Sequence, residues 1–473
     1  MSAFSILKIK TLQENIKKNF AFSYTKEQAS LVDELVDFTI DISTRKIFLI
    51  KGYAGTGKTS LIAALVKSLP SINQRAVLLA PTGRAAKVLG KYAKKNASTI
   101  HRKIYWIKTN KKGNTYIKIK ENTHTNTLFI VDEASMIPDA VDKGFGNRAL
   151  LDDLISYVYD GIGCKLVLIG DTAQLPPVHL EISPALDEDF LHTNFSKEII
   201  CKELTEVVRQ MQESMILENA TIIRNQISNE DFSLPQINTN YEVCDIKSGD
   251  ELQHCLEDSY NGNGLNNTIV LCRSNKRAGI YNQQIRSRIR YYDEEIATGD
   301  YLMVVRNNYF WLDEKSSTGF IANGDIIEVI RFKEVIHKYG FEFAKVTVQL
   351  IDYPDEPELD VIVMLDVLKS PNAALTYEEY KEFHQQVTRA YKGEIDVNKK
   401  IKADPYFNAL QVKFSYAITC HKSQGGQWEN VFIDLGYFKR EMMDKNYLRW
   451  LYTAMTRASK KLFLINFSSE FFE

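Results

Sequence analysis

Gly52-Tyr53-Ala54-Gly55-Thr56-Gly57-Lys58-Thr59 stands between an apolar run at 46–50 and a helix-forming run at 60–69. Its glycines free the backbone to wrap an anion with N–H groups, and the following helix turns its positive N-terminal end on the same point. In the G-x-x-x-x-G-K-T spacing, Lys58 reaches the outer phosphates of a nucleoside triphosphate and Thr59 offers a hydroxyl to magnesium. Strand, phosphate loop and helix together form the opening unit of a parallel α/β sheet.

Working outward, the runs 76–80, 127–131 and 165–169 are also short, apolar and rich in β-branched residues, and each ends directly in a polar or glycine-containing motif. Ligands of open α/β sheets bind at the carboxyl ends of the strands, so these motifs converge on one nucleotide site. Asp132 and Glu133 follow the second of these runs. A carboxylate that holds a metal, next to a base that orients water, is what phosphoryl transfer needs there. The third run leads into Gly170-Asp171-Thr172-Ala173-Gln174-Leu175-Pro176-Pro177, where Gln174 can contact the terminal phosphate. Residues alone define a P-loop ATPase and leave open whether it is a helicase, a kinase or a partner-remodelling ATPase.

The 473 residues exceed what one hydrophobic core serves, which predicts two to four domains. With 44% hydrophobic and 25% charged residues the chain has ample core material and is not disordered in composition. A net charge of -1 excludes a chain-wide basic field, so any nucleic-acid contact must rest on local Lys and Arg clusters. The six cysteines stand singly, without zinc-site or disulfide-framework spacing, which predicts a reducing compartment. Lys8 and Lys10 interrupt the apolar N-terminus, and no run of about eighteen apolar residues occurs, so a cytoplasmic chain without a membrane partner is expected.

A second α/β set is expected at 268–272, 416–419, 431–434 and 460–466. Between 300 and 366, strand follows strand with turn signals at Gly319, Asn323-Gly324 and Tyr353-Pro354, which reads as a small antiparallel barrel. Thr376 and Glu379 form a capping box, and Tyr380, Phe383, Val387 and Tyr391 continue at helical spacing. Within 102–126, basic and aromatic residues flank a polar turn, the pattern of a hairpin.

The remaining motifs resemble, in order, those of superfamily 1B DNA helicases of the RecD/Pif1/Dda type. Thr25-Lys26-Glu27-Gln28 resembles the adenine-reading segment, and Ala80-Pro81-Thr82-Gly83-Arg84-Ala85-Ala86 and Ser98-Thr99-Ile100-His101 resemble DNA-contacting motifs. Val131 to Met136 is similar to the carboxylate motif, and Leu204 to Gln210 resembles the segment that supplies Arg209. Cys272-Arg273-Ser274-Asn275-Lys276, Phe320 to Asp325, Thr419-Cys420-His421-Lys422-Ser423-Gln424-Gly425 and Tyr452-Thr453-Ala454-Met455-Thr456-Arg457-Ala458 are similar to motifs of the second half.

The resemblance implies an α/β architecture of two RecA-like parallel-sheet domains with an inserted hairpin and an SH3-like barrel. The expected division is 1–205 for the first domain, with the hairpin at 102–126, then 206–299 and 405–473 for the second, with the barrel and its helical projection at 300–404. ATP and magnesium are the implied cofactors. Gln28, Gly52, Ala54, Gly55, Thr56, Gly57, Lys58, Thr59, Ser60 and Gly425 would hold nucleotide, Thr59 and Asp132 the metal, and Lys58, Glu133, Gln174, Arg209 and Arg457 would carry catalysis. Pro81, Thr82, Thr99, His101, Arg273, Asn275, Thr419, His421 and Lys422 would grip DNA, with Tyr105 and Trp106 stacking at a strand-separating pin. The implied partners are single-stranded and duplex or fork DNA, with replication or recombination proteins beside them, in a bacterial or phage setting. The implied activity is 5′-to-3′ translocation and unwinding. A motor subunit dependent on a nuclease or replication partner is the alternative, and the catalytic set speaks against an inactive DNA-binding scaffold.

Overall fold

A computed structural model describes residues 3–109, 115–139, 141–142, 148–178, 180–208, 214–312, 316 and 319–472. The first lobe is a six-stranded sheet in the order Glu198–Leu204, Lys46–Gly52, Lys165–Gly170, Thr127–Val131, Arg75–Ala80, Ala97–Thr99, every adjacent pair parallel. Thr127–Val131 and Lys165–Gly170 are buried along their whole length, as expected where helices cover both faces. One face packs on the helices Ala3–Asn19, Lys26–Ile40 and Lys58–Ser68, the other on Leu150–Asp160.

The second lobe is a five-stranded parallel sheet in the order Val243–Ile246, Ala458–Ile465, Trp428–Asp434, Thr268–Cys272, Ala417–Thr419. Its core takes in Ala173 and Leu175, which belong to the loop leaving a first-lobe strand and pack there with Leu448, Leu451, Tyr452 and Met455. This apolar plug makes the geometry of that loop depend on the second lobe.

A five-stranded antiparallel sheet follows, in the order Leu359–Met364, Phe341–Leu350, Ile326–Lys338, Tyr301–Val304, Val412–Phe414. The 13-residue strand Ile326–Lys338 carries two register shifts, which bend it, and a bridge between Val363 and Leu410 brings the two ends of the sheet together. Helix Tyr377–Ala390 begins at the expected capping box of Thr376 and Glu379. Its aromatic stripe is packing surface: Phe383 and Val387 are buried among Phe343, Ile362 and Met364 of the antiparallel sheet.

Arg102, beside the first-lobe hairpin, ties that lobe to the antiparallel sheet. It donates to Asp325 at 2.9 Å and to the Phe320 carbonyl at 3.1 Å and lies 4.0 Å from the Tyr353 ring centre. Both charged side chains are nearly fully buried, so removing one leaves the other's charge unpaired in a dry setting, with only a backbone hydrogen bond to hold it. Arg102→Ala is expected to cost about 3–5 kcal/mol of stability, read as an earlier midpoint in urea unfolding. Among the described residues no helix is long and apolar enough to cross a membrane, and no cysteine is disulfide-bonded.

Candidate nucleotide and nucleic-acid site

Gly55 and Gly57 both take positive φ, 77° and 82°, in the loop that wraps the N-terminus of helix Lys58–Ser68. A Cβ on Gly57 would come within 2.7 Å of the Gln28 amide nitrogen, so the tight loop needs glycine there. Gln28 is buried and braces the loop, its Nε2 donating to the Thr56 carbonyl at 2.9 Å while its Oε1 accepts from Thr25 N at 3.1 Å. The side chain expected to read adenine is thus held by the capping box of its own helix and by the loop, and it does not line the cleft between the lobes. Gly52 and Thr56 likewise sit behind the loop: Gly52 abuts the Lys58 side chain, and the Thr56 hydroxyl donates to Tyr53 O at 2.8 Å. Lys58 Nζ donates to the Gly52 and Tyr53 carbonyls at 2.5 and 2.7 Å.

Between the lobes lies a cleft of about 390 Å³. From the first lobe it is lined by Ala54, Gly55, Gly57, Lys58, Thr59, Ser60, Asp132, Glu133 and Gln174, and from the second by Gly425 and Arg457. Burial raises the Asp132 and Glu133 carboxyls above the usual range. On Asp132 the Glu133 N–H and then Lys58 oppose that rise; on Glu133 Arg457 opposes it most, with Lys58 adding to it. Glu133 itself sits at φ 54°, a left-handed conformation that is costly for a side-chain-bearing residue. Among the described residues the Gln174 side-chain carbonyl is buried without a hydrogen-bond partner, an acceptor left open at the cleft. Arg457, 4% exposed, is fixed by three bonds, from Nε to Thr453 O at 3.0 Å, Nη1 to Gly426 O at 3.3 Å and Nη2 to Thr456 Oγ1 at 3.2 Å. Arg209 lies outside the described residues.

Several bonds that sequence reasoning missed cross from lobe to lobe. Tyr452 accepts from Ala54 N at 2.9 Å and donates to Asp171 at 2.8 Å, Thr453 Oγ1 accepts from Leu175 N at 2.9 Å, and Gln424 donates to Leu175 O at 2.7 Å. All four side chains lie inside motifs legible in the sequence. Nothing in spacing, however, says that a tyrosine in one motif meets a carboxylate in another.

Residues 23–234 match the AAA domain family and residues 414–465 the UvrD-like helicase C-terminal domain family. The ATP-dependent DNA helicase dda of Enterobacteria phage T4 is 26% identical over 81% of this chain and 86% of its own length. The ATP-dependent DNA helicase Pif1 of Campylobacter jejuni is 23% identical over 87% of this chain and 86% of its own. The ATP-dependent RecD2 DNA helicase of Deinococcus radiodurans is 32% identical over 33% of this chain, which is 18% of RecD2. These domain families and relatives are consistent with a superfamily 1B helicase of the RecD/Pif1/Dda type.

The polar residues flanking the cleft are the candidate nucleic-acid contacts, and the structure divides them. Thr82 and Lys422 share a small cavity between the lobes with Gln424 and Trp428; Asn275, Thr419 and Lys422 line a neighbouring cavity of about 460 Å³. Lys422 belongs to both, so the two cavities adjoin and these four residues form a track along them. Thr99, His101, Arg273, Pro81 and His421 line neither cavity. Thr99 is buried and its hydroxyl caps the helix Ile100–Ile104 by accepting from Arg102 N at 3.3 Å. Thr82 caps Gly83–Ala93 in the same way, accepting from Ala85 N at 3.2 Å, while facing the cavity. Arg273 is exposed and lies over the rings of Tyr447 and Trp450, at 4.4 and 5.7 Å.

The hairpin pairs Tyr105–Thr109 with Thr115–Ile119, and its turn at 110–114 lies outside the described residues. Tyr105 is 4% exposed and bonds Asp153 at 2.7 Å, which corrects the expectation that it stacks on a base. Adjacent strand residues point to opposite faces, so with Tyr105 packed inward Trp106 faces out, 54% exposed, with Lys120 4.6 Å from its ring centre.

Proposed function

We propose that this chain is an ATP-dependent DNA helicase that translocates 5′ to 3′ along single-stranded DNA and unwinds duplex ahead of it. The observation that carries the reading is the facing of Lys58, Asp132, Glu133 and Gln174 by Arg457 across one cleft, beside a track that holds Thr82, Asn275, Thr419 and Lys422. A terminal phosphate bound at Lys58 and the glycine loop would accept from the Gln174 amide, leave the Gln174 carbonyl to a bridging water, and lie opposite Arg457. Thr59 and Asp132 would hold magnesium, which when bound neutralises charge on the phosphates. Among the described residues no three-ligand His, Cys, Asp or Glu cluster exists, as fits a metal completed by substrate oxygens and water.

Glu133 orients the attacking water, and Arg457 offsets the charge that develops on the transferring group. Loss of that group breaks the bridge between lobes, the lobes relax, and the grips on the track alternate. Hydroxyl, amide and ammonium groups hold phosphates without reading bases, so binding is insensitive to sequence and weakens with salt. We read the antiparallel sheet as the SH3-like barrel of 300–404, and the hairpin with Trp106 as the pin.

The test is hydrolysis of ATP with and without oligo-dT, and unwinding of duplexes with a 5′ or a 3′ tail. Stimulation by DNA and strand separation from the 5′ tail are the expected results; activity confined to 3′ tails would refute the polarity. For the pin, Trp106→Ala is expected to slow unwinding about tenfold, the loss of one base stack, with DNA-stimulated ATPase within about twofold of wild type. Equal loss of both would remove the stacking role.

A further inference from the structure

Helix Lys445–Met455 of the second lobe reaches the first lobe through adjacent residues. Tyr452 is 1% exposed, and its hydroxyl lies between the Ala54 N–H of the phosphate loop at 2.9 Å and the Asp171 carboxylate at 2.8 Å. Asp171 is 2% exposed, and its other oxygen accepts only from Ala173 N at 2.9 Å, so the tyrosine supplies a donor that this buried carboxylate has from no other side chain on the described residues. One residue on, the Thr453 hydroxyl takes Leu175 N–H and the Thr453 carbonyl takes Arg457 Nε. Thr456 Oγ1 completes the turn by donating back to Tyr452 O at 2.9 Å while it receives Arg457 Nη2. At its other end the same helix carries Tyr447 and Trp450, over which Arg273 lies.

We infer that Tyr452 is a positioning residue that ties the second lobe to the phosphate loop and to Asp171, and through its helix turn sets Arg457 against the transferring phosphoryl group. Resting on the ATPase reading above, it adds a residue that touches neither nucleotide nor DNA. The bonds to Ala54 and Asp171 exist only while the lobes are apposed, because their partners belong to different lobes. When the lobes part, Asp171 and the Ala54 N–H must find water instead, so the closed arrangement is favoured by a contact whose geometry is tied to the loop that binds phosphate. Burial and the adjacent Asp171 charge both hold the Tyr452 phenol protonated, so it remains a donor.

Tyr452→Phe removes the hydroxyl and keeps the ring in the apolar packing with Leu448, Leu451 and Met455. With oligo-dT in excess, kcat for ATP hydrolysis is expected to fall at least about tenfold, the scale of one buried charge-assisted hydrogen bond. KM for ATP and the Kd for fluorescent oligo-dT by anisotropy are expected to stay within about twofold, because the substitution frees only the Ala54 N–H and leaves Gly55, Gly57, Lys58 and the track in place. Asp171→Asn should lower kcat by a similar factor, and the double variant should be no slower than the worse single one, because both remove the same link. A Tyr452→Phe protein with wild-type kcat, or one in which KM and kcat change in equal measure, would overturn the inference. Wild-type protein that hydrolyses no ATP would instead overturn the motor reading itself.

Discussion

Lys58→Ala is expected to lower DNA-stimulated ATP hydrolysis by a factor of about a thousand or more while oligo-dT binding at low salt stays within about threefold. In the structure the ammonium sits over its own loop, bonded to Gly52 and Tyr53 carbonyls, so it is already held at the mouth of the cleft. Its charge also opposes the burial that raises Asp132 and Glu133, so alanine leaves both carboxyls more reluctant to ionise. Two defects therefore coincide, loss of the phosphate-facing cation and loss of one of the charges that favour the ionised form of the groups meant to hold metal and orient water. The track residues Thr82, Asn275, Thr419 and Lys422 lie outside the loop, which is why DNA binding survives. Steady-state hydrolysis and fluorescence anisotropy on one preparation decide the matter; hydrolysis at wild-type rate contradicts the assignment of the loop as the catalytic site.

The second large effect belongs to Arg457. Arg457→Ala is expected to reduce kcat about a thousandfold, the scale seen when an arginine facing a transferring phosphoryl group is removed. Arg457 is the strongest of the groups that hold Glu133 ionised against burial. A carboxyl whose pKa is already raised must shift further up when that cation goes, so the acid limb of the pH–rate profile moves to higher pH and the variant loses more activity at neutral than at alkaline pH. Arg457→Lys keeps a charge but not the planar fork that bonds Thr453, Gly426 and Thr456 together, so it should restore the position of the acid limb better than it restores kcat. An acid limb that does not move in Arg457→Ala would separate the arginine from Glu133 and undo the proposed pairing. Complete, unaltered kcat would remove Arg457 from the site.

The parallel sheets were legible wherever a strand is buried on both faces. The runs at 127–131 and 268–272 are strands over those same residues, and those at 46–50, 76–80 and 165–169 differ by one or two residues at an end. The strands that went unread are Glu198–Leu204 and Val243–Ile246 at sheet edges and the short Ala97–Thr99. Glu198–Leu204 is half-solvated over most of its length and mixes Glu and Lys with its aliphatic residues, so it lacks a continuous apolar run. Tyr105 and Trp106 show the same limit at the scale of a side chain. The alternation of the strand says that one faces in and one out, while the choice rests on Asp153, which arrives from a helix far along the chain.

Local order alone was enough to determine the phosphate loop, the acidic strand end, the capping boxes and the succession of α/β and antiparallel segments, because each depends on residues within a few positions of one another. Tertiary structure decided which of those residues share a cleft. Ala54 and Tyr452 lie 398 positions apart and Asp171 and Tyr452 281 apart, and they meet only because the plug of Ala173 and Leu175 is buried in the second lobe's core. A hydrogen bond of about 3 Å requires that packing to be in place first, and pairwise spacing along the chain carries no record of it.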